Sequence, residues 1–268
     1  MQIETEIVKK IEKKFGIVQV FVLNNANKMK AMGRSLCDWV LKASEKYLSK
    51  TIDLNDGRNI IDVIRESLSQ VATHSIVLYS STPLLTPLTI DKIAEYIVMK
   101  DVNACKLPVG FAVKNNYLKM SNDLQYDSVF AHCYDEFYNV ENQMQLNKVS
   151  EILRNRIIEK HLNNGVNIVS PQTTTIDADV QICSGVDIFS HNTIGGNSNI
   201  EKGVVLKENN IILNSQIKEG ACIINSRIED SKIGKNVYIK PYCVIKSSRI
   251  NNNKIIESYS NILKNNKI

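Results

Sequence analysis

From Pro171 to Lys207 the chain reads PQTTTIDADVQICSGVDIFSHNTIGGNSNIEKGVVLK, and within it Ile176, Ile182, Ile188, Ile194, Ile200 and Leu206 stand six residues apart. An α-helix repeats its apolar side every 3.6 residues and a half-buried strand every second residue, so a strict hexad belongs to neither. It fits a triangular coil in which each hexapeptide forms one face, its aliphatic residue points inward and successive coils stack through strand-like pairing. Val180, Val186, Ser198 and Val204, four places after a rung, suit the second inward position. The ladder continues, with slips of five, through Ile211, Ile217, Ile223, Ile228, Ile233, Ile239, Ile245, Ile250, Ile256, Ile262 and Ile268. The expectation is a left-handed parallel β-helix of hexapeptide repeats over residues 166–268, about five coils in all.

Working back toward the N-terminus, the periodicity changes from six to 3.6. Leu146, Val149, Ile152, Leu153, Ile157 and Leu162 mark a helix that closes on Asn163-Asn164-Gly165, a left-handed cap, so residues 146–165 read as a linking helix. Ahead of it, strand-like runs at Ile17–Leu23, Ser75–Tyr79 and Pro108–Val113 alternate with helical patterns at Leu36–Leu48, Ile60–Leu68 and Ile90–Met99. That alternation predicts a layered α/β domain over residues 1–145. Ile3, Ile7, Val8, Ile11 and Phe15 form one stripe of a first amphipathic helix stopped by Gly16, and residues 115–138 are left without an assignment.

The chain has 268 residues, of which 43% are hydrophobic and 23% charged, with a net charge of +5. Length favours two domains. Basic residues are dispersed among acidic ones rather than gathered with aromatics, which argues against nucleic acid as a partner. No apolar run reaches the ~20 residues of a membrane span, and Met1–Gly16 is too charged for a secretory signal, so a cytoplasmic protein without a membrane partner is expected. The six cysteines show no CxxC spacing or histidine partner and read as reduced, packed thiols.

Several stretches, in order, resemble the bifunctional N-acetylglucosamine-1-phosphate uridyltransferase / glucosamine-1-phosphate acetyltransferase family, which makes UDP-N-acetylglucosamine. Leu78-Tyr79-Ser80-Ser81-Thr82-Pro83-Leu84-Leu85 is similar to that family's LYGDTPLL segment, and Val140-Glu141-Asn142-Gln143-Met144-Gln145-Leu146 to its VNNRxQL segment. Arg154–Val166 and Pro171–Ile182 are similar to its passage from the transferase domain into the β-helix. The resemblance implies a reduced, Rossmann-like nucleotidyltransferase domain ahead of the β-helix, uridylyl transfer from UTP to N-acetylglucosamine-1-phosphate, Mg2+ as cofactor, and a homotrimer assembled through the β-helix.

It also implies site residues. Family members carry LAAGxGTRM after the first strand, so that backbone amides can approach a triphosphate. This chain has Leu23-Asn24-Asn25-Ala26-Asn27-Lys28-Met29-Lys30, without glycine. By resemblance Asn24, Asn25, Lys28, Lys30, Arg34 and Gly57 fall to nucleotide and phosphate binding, Asn142 to sugar contact and Glu141 to the metal; no catalytic residue is assigned. Ser81 stands in place of the family's metal-binding aspartate. Ile245-Lys246-Ser247 replaces an Arg-Pro pair, and acetyl transfer is not expected. Two functions stay open: a UDP-N-acetylglucosamine diphosphorylase whose turnover is weakened or lost, taking UTP or a UDP-sugar, and a non-catalytic nucleotide-sugar sensor or trimeric assembly protein.

Overall fold

The computed structural model describes residues 17–24, 28–54, 57–121 and 123–263. The expected first helix, Asn25 and the Ile268 rung lie outside them. The chain divides into two compact units: one runs to Val149 apart from Met32–Arg34, and those three residues join Ser150 onward in the second.

In the first unit, β1 (Ile17–Asn24), rich in β-branched residues and buried along its middle, lies between two parallel neighbours. Two-residue strands β2 (Lys30–Ala31) and β3 (Arg34–Ser35) pair apart from the main sheet. The helix α1 (Leu36–Ala43) starts where the Ser35 hydroxyl accepts the Asp38 N–H at 3.1 Å. It ends short of the predicted Leu48, because Leu48 opens an unpredicted strand, β4 (Leu48–Asp53). The helix α2 (Ile60–Glu66) is capped by Asn59 and leads to β5 (Ala72–Tyr79). Thr86 caps α3 (Pro87–Met99), with Pro87 in the first turn where its missing N–H costs nothing.

β6 (Ala104–Lys106) and β7 (Phe111–Lys114) form a hairpin, followed by α4 (Asn115–Met120) and the short β8 (Ser128–Val129). The sheet order is β4-β1-β5-β7-β6-β8, parallel through its first three strands and then mixed. One side of the sheet packs Val20, Val22, Ile76 and Leu78 against Ile90, Ile93 and Ile97 of α3, and the other packs Phe21, Leu23 and Val77 against Val63 and Ile64 of α2.

The helix α5 (Gln143–Asn163) closes as predicted: Gly165 takes φ +82°, its N–H reaches the Leu162 carbonyl, and the Val166 N–H reaches that of His161. From Asn167 the second unit is a three-sided parallel β-helix whose faces hold six, five and six short strands. On one face Ile176, Ile194, Ile212, Ile228, Ile245 and Ile262 align. On the next, Ile182, Ile200, Ile217, Ile233 and Ile250 align. On the third, Ile168, Ile188, Leu206, Ile223, Ile239 and Ile256 align. The rung expected at Ile211 is a correction: Ile212 is fully buried and Ile211 points outward, because stacking on Ile194 fixes the register.

The corners differ from one another. At one, buried Asn192 accepts the Asn210 N–H, Asn210 accepts that of Ser226 and Ser226 that of Cys243. At a second, Ser198, Ser215 and Ser231 pass hydroxyl acceptors up to Ser215, Ser231 and Ser248 in the same way. The third is aliphatic, built on Val186, Val204, Ala221 and Val237. Each polar link satisfies a buried amide that would otherwise cost about 1–3 kcal/mol. Close stacking dictates the residue at Gly196, where φ is +62° and a Cβ would stand 1.9 Å from the Asn214 side-chain oxygen. All six cysteines are free, with Cys105 and Cys243 buried, while Cys183 is exposed rather than packed. No helix of the described residues is long and apolar enough to cross a membrane.

Candidate functional site: a crevice at the strand ends of the α/β unit

The parallel strands β4, β1 and β5 end together at Asp53, Asn24 and Tyr79. In open α/β sheets the carboxyl ends of such strands are where a crevice forms. Here a cavity of about 440 Å3 is lined by Leu54, Tyr79, Ser81, Val109, Asn139, Val140 and Glu141, within the range of small-molecule sites.

The chain after β5 is held tightly. The Ser80 N–H donates to the Leu23 carbonyl at 2.9 Å, and the Tyr79 carbonyl accepts from both the N–H and the hydroxyl of Thr82. The Val140 N–H then donates to the Ser81 carbonyl at 2.8 Å, which brings together two segments sixty residues apart. Leu54 and Val109, with the half-buried Tyr79 ring, supply apolar wall; Ser81, Asn139 and Glu141 supply polar groups. Asn139 Nδ2 donates to Glu141 Oε1 at 2.6 Å, which orients the amide and leaves its own Oδ1 buried without a partner. The nearby Tyr126 hydroxyl is raised above the usual tyrosine range, first by burial and then by Tyr79.

The residues named from sequence fall in different places. Asn24, at the end of β1, donates from Nδ2 to Asp53 Oδ1 at 2.9 Å, bridging two strand ends. Lys28 and Lys30 are exposed and outside the crevice lining. Arg34 belongs to the second unit, where its guanidinium is ion-paired with Asp179. Gly57 takes φ +69° in open space, as a turn glycine does. Glu141 lines the crevice, but Asn142 does not: Asn142 Oδ1 accepts the Gln145 N–H at 3.0 Å while Gln145 Oε1 accepts those of Glu141 and Asn142. This reciprocal capping of α5 accounts for the Asn-x-x-Gln spacing physically. Leu54, Val109 and Asn139 were not named from sequence. The first two come from separate loops, while Asn139 was within reach as the residue just before the recognised segment.

Magnesium prefers six oxygen ligands in near-octahedral array, commonly one or two carboxylates completed by phosphate and water. The crevice offers one carboxylate, already engaged by Asn139, and the Ser81 hydroxyl. No group of three or more His, Cys, Asp or Glu side chains fit to hold a metal ion occurs among the described residues. The donors present do not fit a protein-built magnesium centre. In the β-helix, His191 is exposed at φ +57° with its N–H donated to the Thr173 hydroxyl, a corner geometry.

No protein-family model matches the chain. Among curated proteins, the bifunctional protein GlmU of Clostridium novyi is 38% identical over 112 residues, covering 42% of this chain and 25% of that protein. GlmU of Clostridioides difficile is 37% identical over 123 residues, 45% of this chain and 27% of that protein. The chain thus spans about a quarter of the length of the curated relatives it matches. Of solved structures, a variant of perosamine N-acetyltransferase from Caulobacter crescentus, in complex with CoA and GDP-perosamine, is 10% identical with a TM-score of 0.36, covering 95% of this chain and 92% of that one. The acetyltransferase domain of PglB from Neisseria gonorrhoeae, in complex with acetyl coenzyme A, is 10% identical with a TM-score of 0.22, covering 92% and 94%. Over 112 and 123 residues respectively, the chain is similar to these two bifunctional GlmU proteins.

Proposed function

We propose that the α/β unit is a reduced, Rossmann-like nucleotidyltransferase domain that binds a UDP-sugar or UTP in the strand-end crevice and has lost metal-dependent uridylyl transfer. The observation that carries this is the 2.8 Å bond from the Val140 N–H to the Ser81 carbonyl. It joins at one crevice the two segments through which the chain resembles sugar nucleotidyltransferases.

The chemistry is that of recognition. Tyr79, Leu54 and Val109 present an apolar wall to the flat face of a base or sugar, and Ser81 and Glu141 hydrogen-bond hydroxyls. Transfer between phosphates rests on positioning and on neutralising the developing charge, largely through magnesium. One engaged carboxylate and a hydroxyl in the crevice supply little of that charge neutralisation, which supports binding without transfer.

Titrating the full chain with UTP and with UDP-N-acetylglucosamine, with and without magnesium, and assaying pyrophosphate release tests this. Saturable binding that magnesium leaves within about twofold, without release, is the expected result. Magnesium-dependent release would replace the binding reading by an enzymatic one.

A second role is supported by the outer surface of the β-helix. Beyond the polar Asn167 and Asp187, one face carries Val205, Cys222, Tyr238 and Ile255 outward in register, whereas another carries Gln181, Asn199, Gln216, Lys232 and Arg249. The apolar part of the first face supports assembly of the β-helix as a homotrimer, and light scattering at the mass of a monomer would remove this role.

A further inference from the structure

A second hollow in the α/β unit, of about 540 Å3, shares no lining residue with the crevice. Lys92, Tyr96 and Met99 face it from α3 and Lys100 from the residue that caps it, at the i, i+4, i+7 and i+8 positions that share one side of a helix, with Glu95 beside them. Phe130 and His132 face it from the chain after β8.

Its aromatic wall is fixed in advance. The Tyr96 hydroxyl is 2.6 Å from the Ser128 hydroxyl, its ring meets buried Phe130 edge-on with centroids 5.6 Å apart, and Phe130 meets His132 edge-on at 5.3 Å. Met99, 60% exposed, is a polarisable and adaptable cover.

The rim of the hollow carries two lysines that differ from the ion-paired lysines elsewhere on the unit. Lys42, Lys46 and Lys114 are ion-paired with Glu45, Asp91 and Asp101. Lys92 and Lys100 have no carboxylate partner among the described residues, and Lys100 Nζ instead lies 5.9 Å from the centre of the Tyr96 ring. Two ammonium groups against the single Glu95 carboxylate leave the rim net positive above an aromatic floor, which matches a flat apolar ring carrying an anionic group.

We infer that this hollow binds a small aromatic anion, its ring against Tyr96, Met99 and Phe130 and its carboxylate, sulfonate or phosphate between Lys92 and Lys100. The inference is independent of what occupies the crevice.

Anilinonaphthalene sulfonate is a suitable probe of this chemistry, titrated into the full chain by fluorescence and calorimetry. The expected result is saturable binding at one site per chain, weakened about tenfold or more by the double reversal Lys92→Glu and Lys100→Glu at these exposed positions. Reversal of exposed Lys232 and Arg249 on the β-helix, or Val109→Glu in the crevice, is expected to leave it unchanged. Absence of saturable binding, or binding that survives the double reversal within twofold, would overturn the inference.

Discussion

In the β-helix each core residue meets its equivalent one coil away, Ile188 on Leu206, Leu206 on Ile223 and Ile223 on Ile239. In the α/β unit, Val20 of β1 is flanked by Ser49 and Ile76, and its layer is completed by α3 some seventy residues on. The first arrangement is a stack of near neighbours whose stability approximates a sum of local terms. The second is one core that forms only when segments distant in sequence converge. The repeat therefore tolerates drift at its surface, while the convergent unit can build a crevice from unlike residues.

Truncating a rung is expected to give the largest effect. Ile223→Ala, fully buried between Leu206 and Ile239, should cost about 2–5 kcal/mol in urea unfolding followed by circular dichroism. Ile256→Ala, already 5% exposed, should cost less. Equal losses at the two positions would contradict the local-sum picture.

Next comes the polar corner. Asn210→Ala removes the acceptor of the Ser226 N–H and the donor to the Lys207 and Ile223 carbonyls, for an expected loss of about 1–3 kcal/mol by the same measurement. The capping asparagine of α5 should matter slightly less: Asn142→Ala is expected to cost about 1 kcal/mol, and to leave binding in the crevice unchanged because Asn142 does not line it.

The mildest test is pH. Burial holds the imidazoles of His74 and His161 below the usual value of 6.5, with the positive charges of Lys114 and Lys160 adding to it. Their unfolded forms take up protons first, so the stability they contribute is complete above 6.5 and is lost as pH falls from there toward the lowered folded values. Glu201 and Glu229 are lowered from 4.5 chiefly by hydrogen bonds from Lys218 and Lys246. Their contribution is present above 4.5 and is lost as pH falls below it through the folded values. Two successive declines in the urea midpoint are expected on acidification, and His161→Gln should flatten the first.

The same contrast explains what was legible in the sequence. A hexad repeat is a local signal, so the inward Ile column was readable; it missed Ile168, eight residues before the ladder and so out of phase with it, and it misplaced the rung at Ile211-Ile212, where two adjacent isoleucines satisfy the spacing and contact with Ile194 decides. The strand β4 was missed because LSKTID lies at the sheet edge with only Ile52 buried, and because Leu48, at helical spacing from α1, is 46% exposed. In the crevice, Tyr79, Ser81 and Glu141 lay within segments recognisable by resemblance. Leu54 and Val109 reach it only through the fold, and the pairing of Arg34 with a carboxylate 145 residues away is invisible to any local pattern.

The most direct test is calorimetric titration of UDP-N-acetylglucosamine into the wild-type chain and into Val109→Glu, which sets a charged carboxylate in the apolar wall of the crevice. Binding at one site per chain, weakened about tenfold or more by the substitution, is predicted. No binding to the wild type, or equal binding to both, would contradict the assignment of the crevice.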